Sequence, residues 1–375
     1  MSQTQIEKLA RKAALQLGVY NAGMSDDAVR ETWQVDRITR LGSNENPLGA
    51  SPLVAAALRA DLGHTGIYSD SASLKLRHAL AEHTGADAER IVIGNGSEEL
   101  LKLLCLAFIN PGERVVTLEP SFGLHQIYPQ MMGAEVALVP VNQQMEFDLP
   151  AWQQALSQPA KMLILSNPSN PVGCMLGRED FSRLVAQAPQ DCILVIDEAY
   201  YEYCHHLSDY PDSLSVLKAQ PRPWIVLRTF SKAWGLAGLR VGYGITSDDA
   251  LAGVINRVRT PFNINRSAQA AALAALQDPD HVAASMALVT EQRELMRQQL
   301  AELGYLVAPS VANFLFFRTG GDSRDLAKKL LEYGIIVKPW REAGYTDWVR
   351  VSVGSPEDNS TFINTLRGIY ATQCG

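Results

Sequence analysis

Short apolar runs separated by longer amphipathic segments leave a chain few ways to fold. Here apolar runs at 91–93, 114–118, 135–139, 162–165, 193–196 and 224–227 read as buried strands. Between them, 97–109, 122–132, 150–156 and 179–186 carry helical spacing. A strand followed by a helix and another strand is a crossover, and crossovers join parallel neighbours. The pattern therefore predicts an α/β unit whose mainly parallel sheet is covered on both faces by helices.

The C-terminal part changes character. Long helices are predicted at 268–276 and 281–303, then a strand at 314–317, a helix at 323–332, short strands at 335–337 and 348–353, and a last helix at 356–371. This reads as a second, smaller α+β unit, which suits a length of 375 residues. Thr260-Pro261-Phe262-Asn263 interrupts the helical pattern, so the boundary is placed there. At the other end, Ile6, Leu9, Ala13 and Leu17 share one face of a predicted helix over 6–17, followed by a less regular arm to about residue 41. The expected organisation is an N-terminal helix and arm (1–40), a large domain (41–260) and a small C-terminal domain (261–375). The arm is expected to pack on the small unit or on a partner subunit.

Lysine and arginine number 33 against 40 aspartates and glutamates, a net charge of −7, which disfavours nonspecific nucleic-acid binding. The five cysteines form no CxxC pair and are odd in number, as expected of free thiols in a reducing compartment. The first seventeen residues are polar and amphipathic, unlike a signal peptide, and no run approaches the roughly 20 apolar residues of a membrane span. A soluble cytoplasmic protein is expected. No ligand spacing such as HExxH marks a metal site.

Ligands of α/β sheets bind beyond the carboxyl ends of the strands, so the residues just after each strand carry the chemical information. Gly94-Asn95-Gly96-Ser97-Glu98 follows the first run and opens a helix, whose terminal N–H groups suit a phosphate. Alone it is also a plain turn with Ser97 as N-cap. It is not a dinucleotide fingerprint, since the third glycine of GxGxxG falls at Glu99. Ser166-Asn167-Pro168-Ser169-Asn170-Pro171 is a stiff turn in which Asn170 offers a neutral donor to a phenolate, or simply bonds its own backbone. Asp197-Glu198-Ala199-Tyr200 offers a carboxylate to a pyridine nitrogen and a tyrosine to the ring's phenolic oxygen, or simply a strand-end carboxylate bonded to local N–H groups and a core tyrosine. Phe122 offers an aromatic face, or ordinary core. Last comes Thr229-Phe230-Ser231-Lys232-Ala233-Trp234-Gly235-Leu236-Ala237-Gly238-Leu239-Arg240, where a lysine beside a hydroxyl, with an arginine eight residues on, suits a Schiff base to a phosphorylated aldehyde.

These elements, in this order, resemble the fold-type I, class I and II aminotransferases that depend on pyridoxal 5′-phosphate. The resemblance runs from Ser43-Asn44-Glu45-Asn46-Pro47 to Arg350 and is nearest to the histidinol-phosphate aminotransferase group, through Leu41-Gly42-Ser43-Asn44-Glu45-Asn46-Pro47-Leu48-Gly49, Ile67-Tyr68-Ser69-Asp70 and Val349-Arg350-Val351-Ser352-Val353-Gly354. It implies a large domain with a mainly parallel central sheet and a smaller α+β C-terminal domain. It also implies ping-pong transamination through an internal aldimine on Lys232. Ser97, Ser231 and Arg240 are then phosphate ligands, with the backbone of Gly96 and Glu98 nearby. Asp197 pairs with the pyridinium nitrogen, Asn170 and Tyr200 bond the phenolic oxygen, and Phe122 stacks on the ring where relatives commonly carry tyrosine. Tyr68 corresponds to a residue that reaches the partner subunit's cofactor, which makes a homodimer the expected assembly.

At the substrate end, the resemblance makes Arg350 the clamp for the α-carboxylate, in keeping with the fork-to-carboxylate match of arginine. Lys338, in Gly334-Ile335-Ile336-Val337-Lys338, stands where relatives often have a second arginine; Tyr20 and Asn44 complete the expected substrate set. The favoured reaction is transamination between histidinol phosphate and 2-oxoglutarate in histidine biosynthesis. The alternatives are an aromatic or other amino-acid aminotransferase, a lyase resembling threonine-phosphate decarboxylase, and a non-catalytic cofactor-binding regulatory module.

Overall fold

The computed structural model describes residues 3–18 and 23–374. Among them the strands are β1 (Thr39–Arg40), β2 (Ile91–Gly94), β3 (Arg114–Glu119), β4 (Glu135–Pro140), β5 (Met162–Ser166), β6 (Ile193–Asp197), β7 (Trp224–Thr229), β8 (Gly242–Thr246), β9 (Leu306–Val307), β10 (Phe314–Arg318), β11 (Ile335–Ile336), β12 (Lys338–Pro339) and β13 (Trp348–Ser352). Seven of them make one sheet in the order β2-β8-β7-β6-β5-β3-β4. Every pairing in it is parallel except the two that β8 makes. The register sets Ser166 beside Asp197 and Asp197 beside Leu227, so the chemically interesting strand ends lie along one edge.

The apolar runs are explained by burial on both faces. Leu163, Leu165, Leu194, Ile196 and Val226 enter one core, while Ile164, Ile193, Val195, Ile225 and Leu227 enter a second core on the opposite face. The alternation follows from the two-residue repeat of a strand. Strand β8 was absent from the sequence reading. Its run Gly-Tyr-Gly-Ile-Thr is short and glycine-rich, which weakens any strand signal. The glycines are nonetheless required: a Cβ on Gly242 would lie 2.4 Å from the Ser97 nitrogen. The helices Pro52–Asp61, Leu74–Thr84 and Asp249–Val258 were likewise not read from the sequence.

Beyond the long helix Pro279–Glu302, a four-stranded sheet of order β12-β13-β10-β9 is antiparallel throughout. The arm docks on this part of the chain. Strand β1 pairs in parallel with β11, Leu41 N–H donates to the Ile336 carbonyl (2.8 Å), and Arg37 pairs with Asp358 (3.0 Å) and with Glu357. The continuous helix expected over 6–17 is instead two short ones, Gln3–Leu9 and Lys12–Gln16, with Arg11 extended between them (φ −62°, ψ 134°). The second helix buries no residue, so packing does not hold a marginal helix together. Arg11 anchors the break by donating to the Met131 carbonyl (3.0 Å).

Candidate active site

A cavity of about 340 Å³ opens at the carboxyl edge of the seven-stranded sheet, closed on its far side by β12, β13 and the segment after β12. Ligand sites of this kind usually occupy a few hundred Å³. Gly96, Ser97, Glu98, Phe122, Asn170, Asp197, Tyr200, Ser231, Lys232, Arg240, Asn44, Lys338 and Arg350 all line it. Two expected residues do not come to this wall. Tyr68 is 78% exposed and stacks on Phe262, with ring centroids 4.5 Å apart. Tyr20 lies outside the described residues.

Lys232 follows β7 by three residues and is half-buried. Its Nζ donates to the Ser43 carbonyl at 2.9 Å and stands 5.9 Å from the Tyr200 ring centroid. Burial, reinforced by the charge of Arg350, holds the amine down to about 7. At neutral pH a large fraction of it is therefore an uncharged nucleophile and base.

Asp197 ends β6 and is buried. Its Oδ2 meets His125 Nε2 at 2.9 Å, and its Oδ1 accepts from the Ala199 N–H at 3.1 Å. His125 is itself buried and was not singled out from the sequence. The signal was available: it follows Phe122 by three residues, about one helical turn, and the two rings meet edge-on at 5.5 Å. The Tyr200 oxygen accepts from Asn44 Nδ2 (2.9 Å) and Asn170 Nδ2 (3.2 Å). Asn170 Oδ1 in turn accepts from Arg350 Nη1 (2.7 Å), and Arg350 Nη2 donates to the Gly42 carbonyl (2.8 Å). A single hydrogen-bonded chain thus runs from Arg350 through Asn170 to Tyr200.

An anion cradle lies at the other end. The thirteen-residue helix Gly96–Phe108 points its first turn into the cavity through Gly96, Ser97 and Glu98. Arg240 Nη1 donates to Ser231 Oγ (3.4 Å), and Ser231 is braced by Thr229 Oγ1 (2.9 Å). Gly96 has φ +74°, and a Cβ there would lie 2.5 Å from Arg240 Nη2. The arginine can reach the helix terminus only over a glycine. Glycine backbone, two hydroxyls, a guanidinium and a helix N-terminus form a donor set suited to a phosphate ester.

The opposite wall carries the substrate candidates. Lys338 and Arg350 are register partners on β12 and β13. Burial, then Arg350 and Arg341, lowers the Lys338 ammonium to about 8. Glu342 accepts from Trp340 Nε1 (2.6 Å), Gln126 Nε2 (2.5 Å) and the Ser121 N–H (3.2 Å), and so ties this wall to the segment after β3.

Comparison with known proteins agrees with this geometry. The family model for aminotransferase class I and II matches residues 36–366. The chain is 46% identical to histidinol-phosphate aminotransferase 1 of Mesorhizobium japonicum, covering 92% of this chain and 94% of that one. It is 42% identical to histidinol-phosphate aminotransferase 3 of Rhizobium meliloti, covering 96% and 97%. Among solved structures it resembles the histidinol-phosphate aminotransferase of Sinorhizobium meliloti in complex with pyridoxal 5′-phosphate, with TM-score 0.88, 27% identity, and coverage of 96% of this chain and 97% of that one. Its fold is that of the fold-type I enzymes, and the chain belongs to the class I and II aminotransferases.

Proposed function

We propose that this chain is a pyridoxal 5′-phosphate-dependent aminotransferase that exchanges an amino group between histidinol phosphate and 2-oxoglutarate in histidine biosynthesis. The observation that carries the reading is the Lys232 amine, lowered to about 7, in a cavity with an anion cradle at one end and paired cations at the other. The cofactor, when bound, supplies an electron sink for the charge left on the substrate carbon. In this reading Gly96, Ser97, Glu98, Ser231 and Arg240 hold the cofactor phosphate. Asp197, braced by His125, faces the ring nitrogen, and Phe122 covers the ring. Tyr200, fixed by Asn44 and Asn170, faces the phenolic oxygen.

Lys232 would hold the bound cofactor through Nζ, and the same Nζ, once freed, would accept the proton from the substrate carbon. Arg350 binds the carboxylate of the amino acid or keto acid, and Lys338 joins it on the phosphate of histidinol phosphate. Tyr20 and Asn44 complete the substrate set in this reading.

The active assembly is a homodimer in which Tyr68 serves the partner's site. Its support is the exposed apolar surface of Leu48, Leu53, Leu62, Ile67, Tyr68, Leu74 and Phe262. The division near residue 260 into a large cofactor-binding domain and a small domain belongs to the same reading. So does cytoplasmic residence: Cys105, Cys174, Cys192 and Cys204 are buried free thiols, and no helix among the described residues is long and apolar enough to cross a membrane.

Replacing Lys232 with alanine is expected to abolish turnover while leaving the fold intact. Substantial transamination by that variant, purified from cells lacking the wild-type protein, would overturn the assignment.

A further inference from the structure

The wall after β12 grips the opposite side of the cavity at two points through one carboxylate. Glu342 Oε1 accepts from Gln126 Nε2 (2.5 Å), and its Oε2 accepts from the Ser121 N–H (3.2 Å). Gln126 Nε2 also donates to Ser121 Oγ (3.3 Å), which closes a small ring of bonds. The grip has a firm base. Oε2 accepts from Trp340 Nε1 as well (2.6 Å), and the buried Trp340 ring meets Phe316 edge-on at 5.8 Å. A second tie runs alongside: the Tyr345 hydroxyl donates to the Glu119 carbonyl (3.3 Å).

Ser121 and Gln126 bracket the two aromatic residues of this segment. Phe122 lines the cavity, and His125 bonds Asp197 (2.9 Å). The His125 N–H donates to the Phe122 carbonyl (2.8 Å), and the two rings meet edge-on. A carboxylate that holds residues 121 and 126 therefore fixes both rings between them. Stability alone is a poor reason for that carboxylate. Its three donors are neutral, and burial, joined by the charge of Glu119, raises its pKa. Neutral donors offset only part of the cost of taking a charge out of water.

The structure assigns Glu342 as a positioning residue: from the substrate wall it fastens the segment 121–126, and so holds Phe122 over the cofactor ring and His125 against Asp197. It acts through Ser121 and Gln126. The inference rests on the reading of this cavity as a pyridoxal phosphate site, and it is independent of which amine the enzyme uses.

The test is a titration of the cofactor-free protein with pyridoxal phosphate, followed by the visible band. It compares the wild type with Glu342→Ala, Glu342→Asp, Gln126→Ala and the double variant Glu342→Ala/Gln126→Ala. Glu342→Ala should weaken the Kd about tenfold, since a small displacement of the ring's contacts is enough for that. Glu342→Asp keeps both oxygens and should recover part of the loss. The double variant should bind little worse than the poorer single variant, because both changes break one connection. Should Glu342→Ala fail to fold, Gln126→Ala carries the same comparison from the other side of the bond. A Kd unchanged in Glu342→Ala or Gln126→Ala, or fully additive losses in the double variant, overturns the role of Glu342 alone. A wild type that forms no visible band with pyridoxal phosphate overturns the cofactor reading and this inference with it.

Discussion

Lys232 owes its chemistry to where β7 ends. Burial and the Arg350 charge hold its amine at about 7, well below an ordinary lysine. The cofactor-free protein should therefore capture pyridoxal phosphate at a rate nearly flat above pH 7. Below that value the protonated amine is no longer a nucleophile, and the rate should fall about tenfold per pH unit. Stopped-flow absorbance across pH 5.5–9 measures this; a rate still rising about tenfold per unit up to pH 9, as for an ordinary lysine near ~10.4, would contradict it. At this scale the sequence was most legible. The strand-end motifs named most of the residues that line the sheet side of the cavity, because such motifs combine a special turn with a chemically specific side chain. His125 and Glu342 were not read from the sequence, although His125 follows Phe122 by about one helical turn. Each acts through a partner far along the chain: Asp197 for His125, and Gln126 for Glu342.

Among the elements, the turn after β6 holds a second buried network behind the cavity. Arg228 on β7 pairs with Glu198 (2.8 Å) and lies 3.5 Å over the Tyr201 ring, while the Glu198 charge raises the guanidinium's affinity for its proton. Next to it Glu202 is buried, accepts from Trp234 Nε1 (2.9 Å), and is pushed up to about 7 by burial. Between the ordinary carboxylate range and pH 7 the folded state then holds a proton that the unfolded chain releases. Folding stability should fall as pH rises through that window. Glu202→Gln should remove this slope and stabilise the cofactor-free protein at pH 8 by up to ~3 kcal/mol relative to pH 5. Denaturant midpoints at the two pH values decide it; identical pH slopes for variant and wild type would contradict the account. The parallel strands were legible because burial on both faces makes them continuous apolar runs. Strand β8 was not, because its glycines serve the close approach of the helix at Ser97 rather than strand propensity.

For the whole molecule, the expected homodimer makes a prediction that no monomer can satisfy. A Lys232→Ala subunit still supplies Tyr68 to its partner, and a Tyr68→Ala subunit still supplies Lys232. Co-expression should regain roughly a quarter of wild-type activity, since random pairing makes half the dimers mixed and each mixed dimer has one complete site. Activity no greater than the sum of the separate variants would contradict the shared site. The arm's docking on β11 and the C-terminal helix was one of two outcomes open from the sequence, since an amphipathic arm does not encode which apolar surface it meets. The most direct test of the central claim is absorbance of the cofactor-loaded protein through single half-reactions with histidinol phosphate and with phenylalanine. Rapid loss of the lysine-bound cofactor's visible band with histidinol phosphate, far ahead of phenylalanine, is the predicted result. Loss that is faster with phenylalanine, or no such band after adding pyridoxal phosphate, would contradict it.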